Sequence, residues 1–201
     1  LRVQVMKGIY TFVVKPKGER YNNIKKVGDK ELILNTEVSH HQFTNREAIV
    51  KAVPMAKLTD IKVGDTVIVH HNVFRRWHNQ YGIEKNSGSY FNKDNYILNE
   101  DQIFAYNNGS GWKPLEGYCF IQPLKEDNKL FYKGNEKLQG IVVYSDGTVE
   151  KNSLVQFRAV GKYEFVIDGQ RLYRVKSNKI TIKYEYQGDE ETYNPSWAQS
   201  S

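Results

Sequence analysis

The sequence predicts an all-β protein built from two copies of one unit in tandem. Short runs of β-branched and aromatic residues, bounded by Gly, Pro or Asp, follow one another along the 201 residues, and such runs are typical of strands. No stretch of ten or more residues keeps the apolar period of a helix. The order of strand signals in the first half also recurs in the second. Many short strands separated by turn residues favour β-barrels or sandwiches.

The predicted strands are spread over both halves. They lie at 10–14, 48–53, 66–69, 118–121, 140–144, 154–157, 163–167 and 172–175. Asp168-Gly169 separates the last two and predicts a tight hairpin turn, because Gly accepts a positive φ at little steric cost.

The repeat is read from matched segments in the same order. Segments 13–16, 48–50 and 96–98 match 120–123, 140–142 and 173–175, and Ile103 matches Ile180. The long connections between them are shorter in the second copy. Because insertions in surface loops are tolerated, the second copy is interpreted as a shortened form of the first.

This pattern predicts the domain organisation. The first unit is expected at 8–107 and includes a long loop at 17–46. A flexible Asn/Gly/Ser linker follows at 108–115. The second unit is expected at 116–186, and 187–201 is expected to be a polar tail that extends from it.

Composition argues against a catalytic or metal centre. The single Cys119 excludes an intrachain disulfide and a cysteine zinc cluster, and a buried, inert thiol is expected in its strand. His70 and His71 are expected to point to opposite sides of a strand. No nucleophile, phosphate-loop or dinucleotide motif occurs, and no pair of carboxylates suggests acid and base roles. No enzymatic activity, metal or cofactor is expected.

Partner classes can be narrowed in the same way. No apolar run approaches the roughly 18–20 residues of a membrane helix, so no membrane partner is expected. The net charge of +6 is modest and its basic residues are scattered, so nucleic acid is not the expected partner. The expected location is the cytoplasm.

Four segments of the first half resemble the GroES-type co-chaperonin family. They are the opening strand at 12–16, the strand at 47–53, the Val63-Gly64-Asp65 turn leading into 66–69, and the closing segment at 96–105. The resemblance covers most of 8–106 and, more weakly, 116–186. The second half has Lys151-Asn152-Ser153 where the family has Val-Gly-Asp. The many departures from the family pattern favour a divergent, viral form, for which the expected location is the host cytoplasm.

The resemblance implies two tandem GroES-like β-barrels, a homo-oligomeric ring and a mobile loop that binds a chaperonin ring. By position, Leu32, Ile33 and Leu34 match the apolar triplet through which the family docks. The alternative is that this triplet is an interior strand. The second copy's shorter connection carries Leu130-Phe131-Tyr132, for which a packed turn is expected.

The segment at 73–81 is a second candidate interface. Phe74, Arg75, Arg76, Trp77 and Tyr81 combine the residue types that anchor protein interfaces. The same types can bind single-stranded nucleic acid. The simplest alternative is a solvated hairpin with one aromatic side chain packed inward.

The function expected from the resemblance is that of a co-chaperonin that caps a chaperonin ring and assists protein folding. Two alternatives stay open at this point. One is a virion or assembly protein that reuses the same unit, and the other is a nucleic-acid-binding barrel.

Overall fold

A computed structural model describes residues 6–21, 24–27, 30–33, 44–93, 95–124, 137–158, 160, 162–185, 188 and 191–199. The chain divides into two units, Leu1–Trp112 and Lys113–Ser201. Each unit is organised around one large sheet.

The described residues of the first unit form one large sheet and two small hairpins. In chain order they are β1 (Phe12–Pro16), β2 (Ile24–Val27), β3 (Lys30–Ile33), β4 (Glu47–Ala52), β5 (Thr66–Val69), β6 (Arg76–His78), β7 (Glu84–Asn86), β8 (Tyr90–Asn92), β9 (Asn95–Leu98), β10 (Ile103–Asn107) and β11 (Trp112–Pro114). A 3-10 helix, Glu100–Gln102, precedes β10. Seven strands form one sheet in the order β11-β10-β5-β4-β1-β9-β8, while β2–β3 and β6–β7 form separate hairpins.

The second unit contains six strands in a single sheet. They are β12 (Tyr118–Pro123), β13 (Lys137–Tyr144), β14 (Leu154–Arg158), β15 (Tyr163–Ile167), β16 (Gln170–Lys176) and β17 (Ile180–Tyr184). A 3-10 helix, Ser177–Lys179, precedes β17, and a four-residue helix α1 (Ser196–Gln199) follows later. None of the helices in the described segments has the length and hydropathy needed to cross a bilayer.

The two large sheets share a strand order. The order β8-β9-β1-β4-β5-β10 in the first unit corresponds to β15-β16-β12-β13-β14-β17 in the second. The register agrees as well, because Pro16 lies opposite Ala48 and Pro123 lies opposite Gly140. Both pairs carry an irregularity two to three residues before the proline. The segments matched in the sequence therefore occupy matching positions in the two sheets.

The turns before β5 and β14 share a positive φ and a backbone hydrogen bond despite their different sequences. Gly64 has a φ of 96° and Asn152 has a φ of 63°. The Gly64 N–H donates to the Val50 carbonyl at 2.9 Å, and the Asn152 N–H donates to the Val142 carbonyl at 2.8 Å. Asn is among the few non-Gly residues that adopt a positive φ readily. The second unit thus forms this turn with Lys151-Asn152-Ser153 in place of the first unit's Val63-Gly64-Asp65.

Both faces of each large sheet are buried along much of their length. Consecutive residues are buried in β1, β5, β10, β12, β14 and β16, and successive side chains of a strand point to opposite faces. Along β4, buried residues alternate with less buried ones. In the second unit one buried cluster is made by residues from four strands: Cys119, Ile121, Leu138, Val142, Val155, Phe157, Tyr173 and Val175. Cys119 is fully buried, as expected.

The predicted all-β class is confirmed, whereas the closed barrels implied by the resemblance are not seen. In the described residues both sheets have a linear strand order, and no pairing joins their two ends. Predicted strands 66–69 and 163–167 have the bounds of β5 and β15. The predicted Asp168-Gly169 hairpin turn is also present, with φ of 50° and 72°.

Two predicted connecting segments are more ordered than expected. Within the predicted linker, Trp112–Pro114 forms β11, and the Trp112 side chain is buried because it joins the first unit's sheet. The tail was expected to be a polar extension, but some described residues within 191–199 contact the rest of the second unit. The Tyr193 N–H donates to the Pro123 carbonyl at 2.9 Å, and the Asn194 side chain accepts from the Arg171 N–H at 3.0 Å. Ala198 is fully buried.

Candidate partner-binding site

The predicted partner-binding loop leaves the large sheet between two neighbouring strands. Residues 17–46 connect β1 to β4, which pair antiparallel with Pro16 opposite Ala48. The middle of the loop contains the β2–β3 hairpin, in which Ile24 pairs with Ile33 and Val27 with Lys30. In the described residues these strands pair with each other and with no strand of the larger sheet.

The two ends of this loop are tied together by Asn45, which is buried. Its amide nitrogen donates to the carbonyls of Lys17 and Glu19 at 2.8 and 2.9 Å, and its side-chain oxygen accepts from the Glu47 N–H at 2.9 Å. Its backbone N–H donates to the Arg20 carbonyl at 2.9 Å. We call residues 17–21 and 44–47 the loop stem. Because the Asn45 side chain forms hydrogen bonds to backbone groups on both sides of the stem, the stem has a fixed geometry.

Arg20 links the loop stem to the chain near β6 and β7. Its Nε and Nη2 donate to the Phe74 carbonyl at 3.3 and 3.1 Å, and Nη2 also donates to Asn86 Oδ1 at 2.9 Å. The guanidinium lies 5.7 and 5.4 Å from the ring centroids of Tyr90 and Tyr96, within cation–π range. Burial lowers the pKa of Arg20 from its ordinary value, while the neighbouring tyrosines oppose that change.

Tyr21 makes the second link between the same two segments. Its hydroxyl accepts a hydrogen bond from the Arg76 N–H at 2.7 Å, and the Arg76 guanidinium lies 5.1 Å from the Tyr21 ring centroid. Arg76 also pairs with Glu84 across the hairpin at 3.4 Å. The loop stem and the β6–β7 hairpin are therefore held as one structural element.

The β6–β7 hairpin carries several side chains of the second predicted interface. Tyr81 is 76% exposed and Trp77 is 37% exposed, and Ile83 is exposed beside them. The turn is stabilised by Asn79 Oδ1, which accepts from the N–H groups of Tyr81 and Ile83 at 3.0 Å each. These exposed side chains are available to a partner.

Phe74 was predicted to belong to this interface, and that prediction is wrong. Its side chain is fully buried and meets the Tyr96 ring edge-on at 4.7 Å between centroids. Phe74 is thus the aromatic residue that packs inward, while Arg75 and Arg76 are half-buried. An apolar ring with a place in the core gains more from burial there than it would from exposure.

The residues of the predicted apolar triplet can be placed only in part. The backbones of Leu32 and Ile33 lie in β3. Leu34 lies outside the described residues, as does the second unit's Leu130-Phe131-Tyr132. The backbone arrangement of β3 is not that of an interior strand of the seven-stranded sheet.

Both insertions of the first unit meet at the loop stem. Residues 70–89 separate β5 from β8 and contain the β6–β7 hairpin, whereas 159–162 make the matching connection in the second unit. Arg20 and Tyr21 contact this hairpin segment. The part of the first unit that differs most from the second is therefore one contiguous feature.

Other chemically active residue types form no centre in the described parts of the chain. His70 and His71 lie just after β5, and their rings meet in a tilted arrangement at 4.2 Å between centroids, so they do not point to opposite sides of a strand as predicted. No group of three or more His, Cys, Asp or Glu among the described residues could hold a metal ion. Cys119 Sγ lies 3.5 Å from Ser177 Oγ in the second unit's core.

Sequence reasoning missed Arg20, Tyr21 and Asn45. No local pattern around them indicates a role, because their partners are distant in the chain. A positional signal did exist, since all three lie next to the ends of a long insertion that must be closed by some polar network.

Compared with models of known protein families and with curated protein sequences, the chain matches none.

Proposed function

We propose that this protein is a co-chaperonin that caps a chaperonin ring through the loop at residues 17–46 and so assists protein folding. The observation that carries the proposal is the position of the β2–β3 hairpin. It contains Leu32 and Ile33, and it is an appendage of the large sheet that no described strand of that sheet pairs with. An apolar segment carried on such an appendage is suited to inserting into a partner.

The energetics require several loops to act together. Burying three apolar side chains yields roughly 1.5–3 kcal/mol each, while ordering the backbone costs about 1–2 kcal/mol per residue fixed. One loop therefore binds weakly. Several loops on one ring bind strongly because each bound loop raises the effective concentration of the next. The proposal thus includes a homo-oligomeric ring of GroES-like units.

The stem arrangement fits this role. Asn45, Arg20 and Tyr21 fix where the loop leaves the unit, so the loop's direction is set while its far end engages a partner. A stem that is already ordered lowers the entropy lost on binding. The first unit supplies the competent loop, and the second unit keeps the strand order with a shorter connection.

Binding to a purified GroEL-type chaperonin tests the proposal. The protein is mixed with the chaperonin and ADP or ATP, and the mixture is separated by size. We expect the protein to co-migrate with the chaperonin in the presence of nucleotide, and Leu32→Asp to reduce this binding at least tenfold.

The matched control is Leu58→Asp, which makes the same change at a side chain that is 99% exposed in the first unit. The control should bind as the unmodified protein does. Equal binding by Leu32→Asp would refute the loop assignment. If none of the proteins binds, the alternative of a virion or assembly protein takes its place.

A further inference from the structure

An open groove in the first unit is not used by the proposed function. It has a volume of about 670 Å³ and lies between the β6–β7 hairpin, the outer end of β9 and the 3-10 helix. This volume falls within the roughly 300–1,000 Å³ of small-molecule sites. Most of the groove is lined by planar polar or aromatic side chains, namely Asn72, Arg75, Trp77, Asn99, Asp101 and Gln102.

Trp77 provides an accessible aromatic surface on one wall. It lies in β6 opposite Lys85 and is 37% exposed. Ile97, 38% exposed, contributes a second apolar patch to the lining. The face of an indole ring is electron-rich and attracts polarised C–H groups. This pair can therefore hold a ligand that has both an apolar C–H face and polar edges.

Several polar side chains of the groove are within reach of a ligand. Asn72 and Asp101 are exposed, and both line the groove together with the half-buried Arg75. A carboxylate accepts, a guanidinium donates and an amide does both, so together they match hydroxyl groups.

Gln102 has its hydrogen bonds formed and makes a fixed wall. Its Nε2 donates to Ser89 Oγ at 3.2 Å, and its Oε1 accepts from the Asn99 N–H at 3.0 Å. Ser89 is itself buried. The groove therefore has a preformed side, which reduces the ordering that a ligand must impose.

Charge decides between the candidate ligands. The lining contains one cation, Arg75, and one carboxylate, Asp101, so its formal charge is zero. A nucleic-acid backbone or another polyanion needs several cations on one face. A neutral ligand with many hydroxyl groups needs the donors and acceptors that are present here.

We infer that this groove binds a neutral oligosaccharide, with one sugar ring stacked on Trp77 and its hydroxyl groups bonded to Asn72, Arg75 and Asp101. The inference is independent of chaperonin binding. It assigns to the first unit a recognition surface that the second unit lacks, because the second unit has no counterpart of the β6–β7 hairpin in its described residues.

A printed array of defined neutral and anionic glycans, probed with the full-length protein, identifies a neutral glycan for titration calorimetry. We expect Trp77→Ala and Asp101→Ala each to weaken its binding at least tenfold. Tyr81→Ala is the matched control, since Tyr81 is an exposed aromatic residue of the same hairpin outside the groove lining. It should leave the affinity unchanged.

Three results would overturn the inference. The first is that no neutral glycan binds at millimolar concentration, and the second is that Trp77→Ala binds as well as the unmodified protein. The third is that a (dT)12 oligonucleotide binds instead, with an affinity that falls steeply with salt and drops in Lys85→Gln. Retained chaperonin binding under any of these results would leave the proposed function unaffected.

Discussion

Replacing Arg20 by Ala should loosen the whole loop stem, because its side chain joins three parts of the first unit. The change removes the hydrogen bonds to the Phe74 carbonyl and to Asn86 Oδ1, together with two cation–π contacts. Hydrogen bonds to charged groups contribute about 1.5–3 kcal/mol, and each cation–π contact about 0.5–2 kcal/mol.

These contributions overlap, so they do not simply add. Ordering the Arg20 side chain on folding also costs up to about 2 kcal/mol of entropy, which the Ala variant avoids. We therefore expect the free energy of unfolding of the first unit to fall by about 2–4 kcal/mol. Typical domains have only about 5–15 kcal/mol in total, so the loss is large. Arg20→Lys keeps the positive charge but loses the planar guanidinium. Its free energy of unfolding should lie between those of the unmodified protein and Arg20→Ala.

The assay is hydrogen exchange followed by mass spectrometry as urea is raised, because it reports each unit separately. Peptides from 6–21 and 73–93 should lose protection at lower urea in Arg20→Ala, whereas peptides from the second unit should not change. Lys93→Ala, at an exposed lysine, is the control and should stay within about 0.5 kcal/mol. A change of the same small size in Arg20→Ala would refute the stem argument.

Three further predictions concern the repeated sheets. Gly140→Ala should destabilise the second unit by about 1–3 kcal/mol, because a Cβ there would lie 2.4 Å from the Gln122 carbonyl oxygen; thermal unfolding measures the loss, and Gly88→Ala, where a Cβ meets open space, should be neutral. Gly64→Ala should destabilise the first unit by about 1–2 kcal/mol, because Gly64 has a φ of 96°. Gly64→Asn should destabilise it less, as Asn152 adopts a positive φ at the matching turn. Equal losses in the two variants would contradict this comparison. Burial alone would raise the pKa of Asp146, but hydrogen bonds from Ser177, Thr148 and Gly117 outweigh it and lower the pKa below its ordinary value. The stabilisation from Asp146 is therefore present above the ordinary Asp pKa and lost as the pH falls through the lowered one. Unfolding of the second unit, measured as the pH is lowered, should show this loss of stability. In Asp146→Asn the stability should depend less on pH in the same range.

Most strands of the two large sheets could be predicted because their signal is local. Runs such as Thr66–Val69 and Tyr163–Ile167 consist of residues that suit a pleated surface, and turn residues mark their ends. The repeat could be predicted for a related reason. Corresponding strands face corresponding cores, so residues of similar character are placed in the same order.

The β6–β7 hairpin could not be predicted in this way. Arg76–His78 and Glu84–Asn86 contain one residue type that favours strands, Trp77, and they pair because Asn79 and Gly82 close the turn between them. β11 was missed because Trp112 follows a Gly- and Ser-rich run whose composition is typical of a linker. One large apolar side chain can dock such a segment despite its neighbours.

The loop stem depends on contacts that span long distances in the chain. Arg20 contacts residues 54 and 66 positions away, and neither end of such a pair carries a recognisable motif. The same holds for the described tail, where Asn194 bonds to the Gly169 carbonyl at the hairpin turn. In both cases a polar residue satisfies buried backbone groups whose positions only the folded chain defines.

Electron microscopy of the protein mixed with a purified GroEL-type chaperonin and ADP or ATP tests the central claim most directly. The account predicts ring-shaped caps seated on the ends of the chaperonin cylinders, and their disappearance when Leu32 is replaced by Asp. The contradicting result is bare cylinders beside unattached protein, seen both for the unmodified protein and for the Leu58→Asp control.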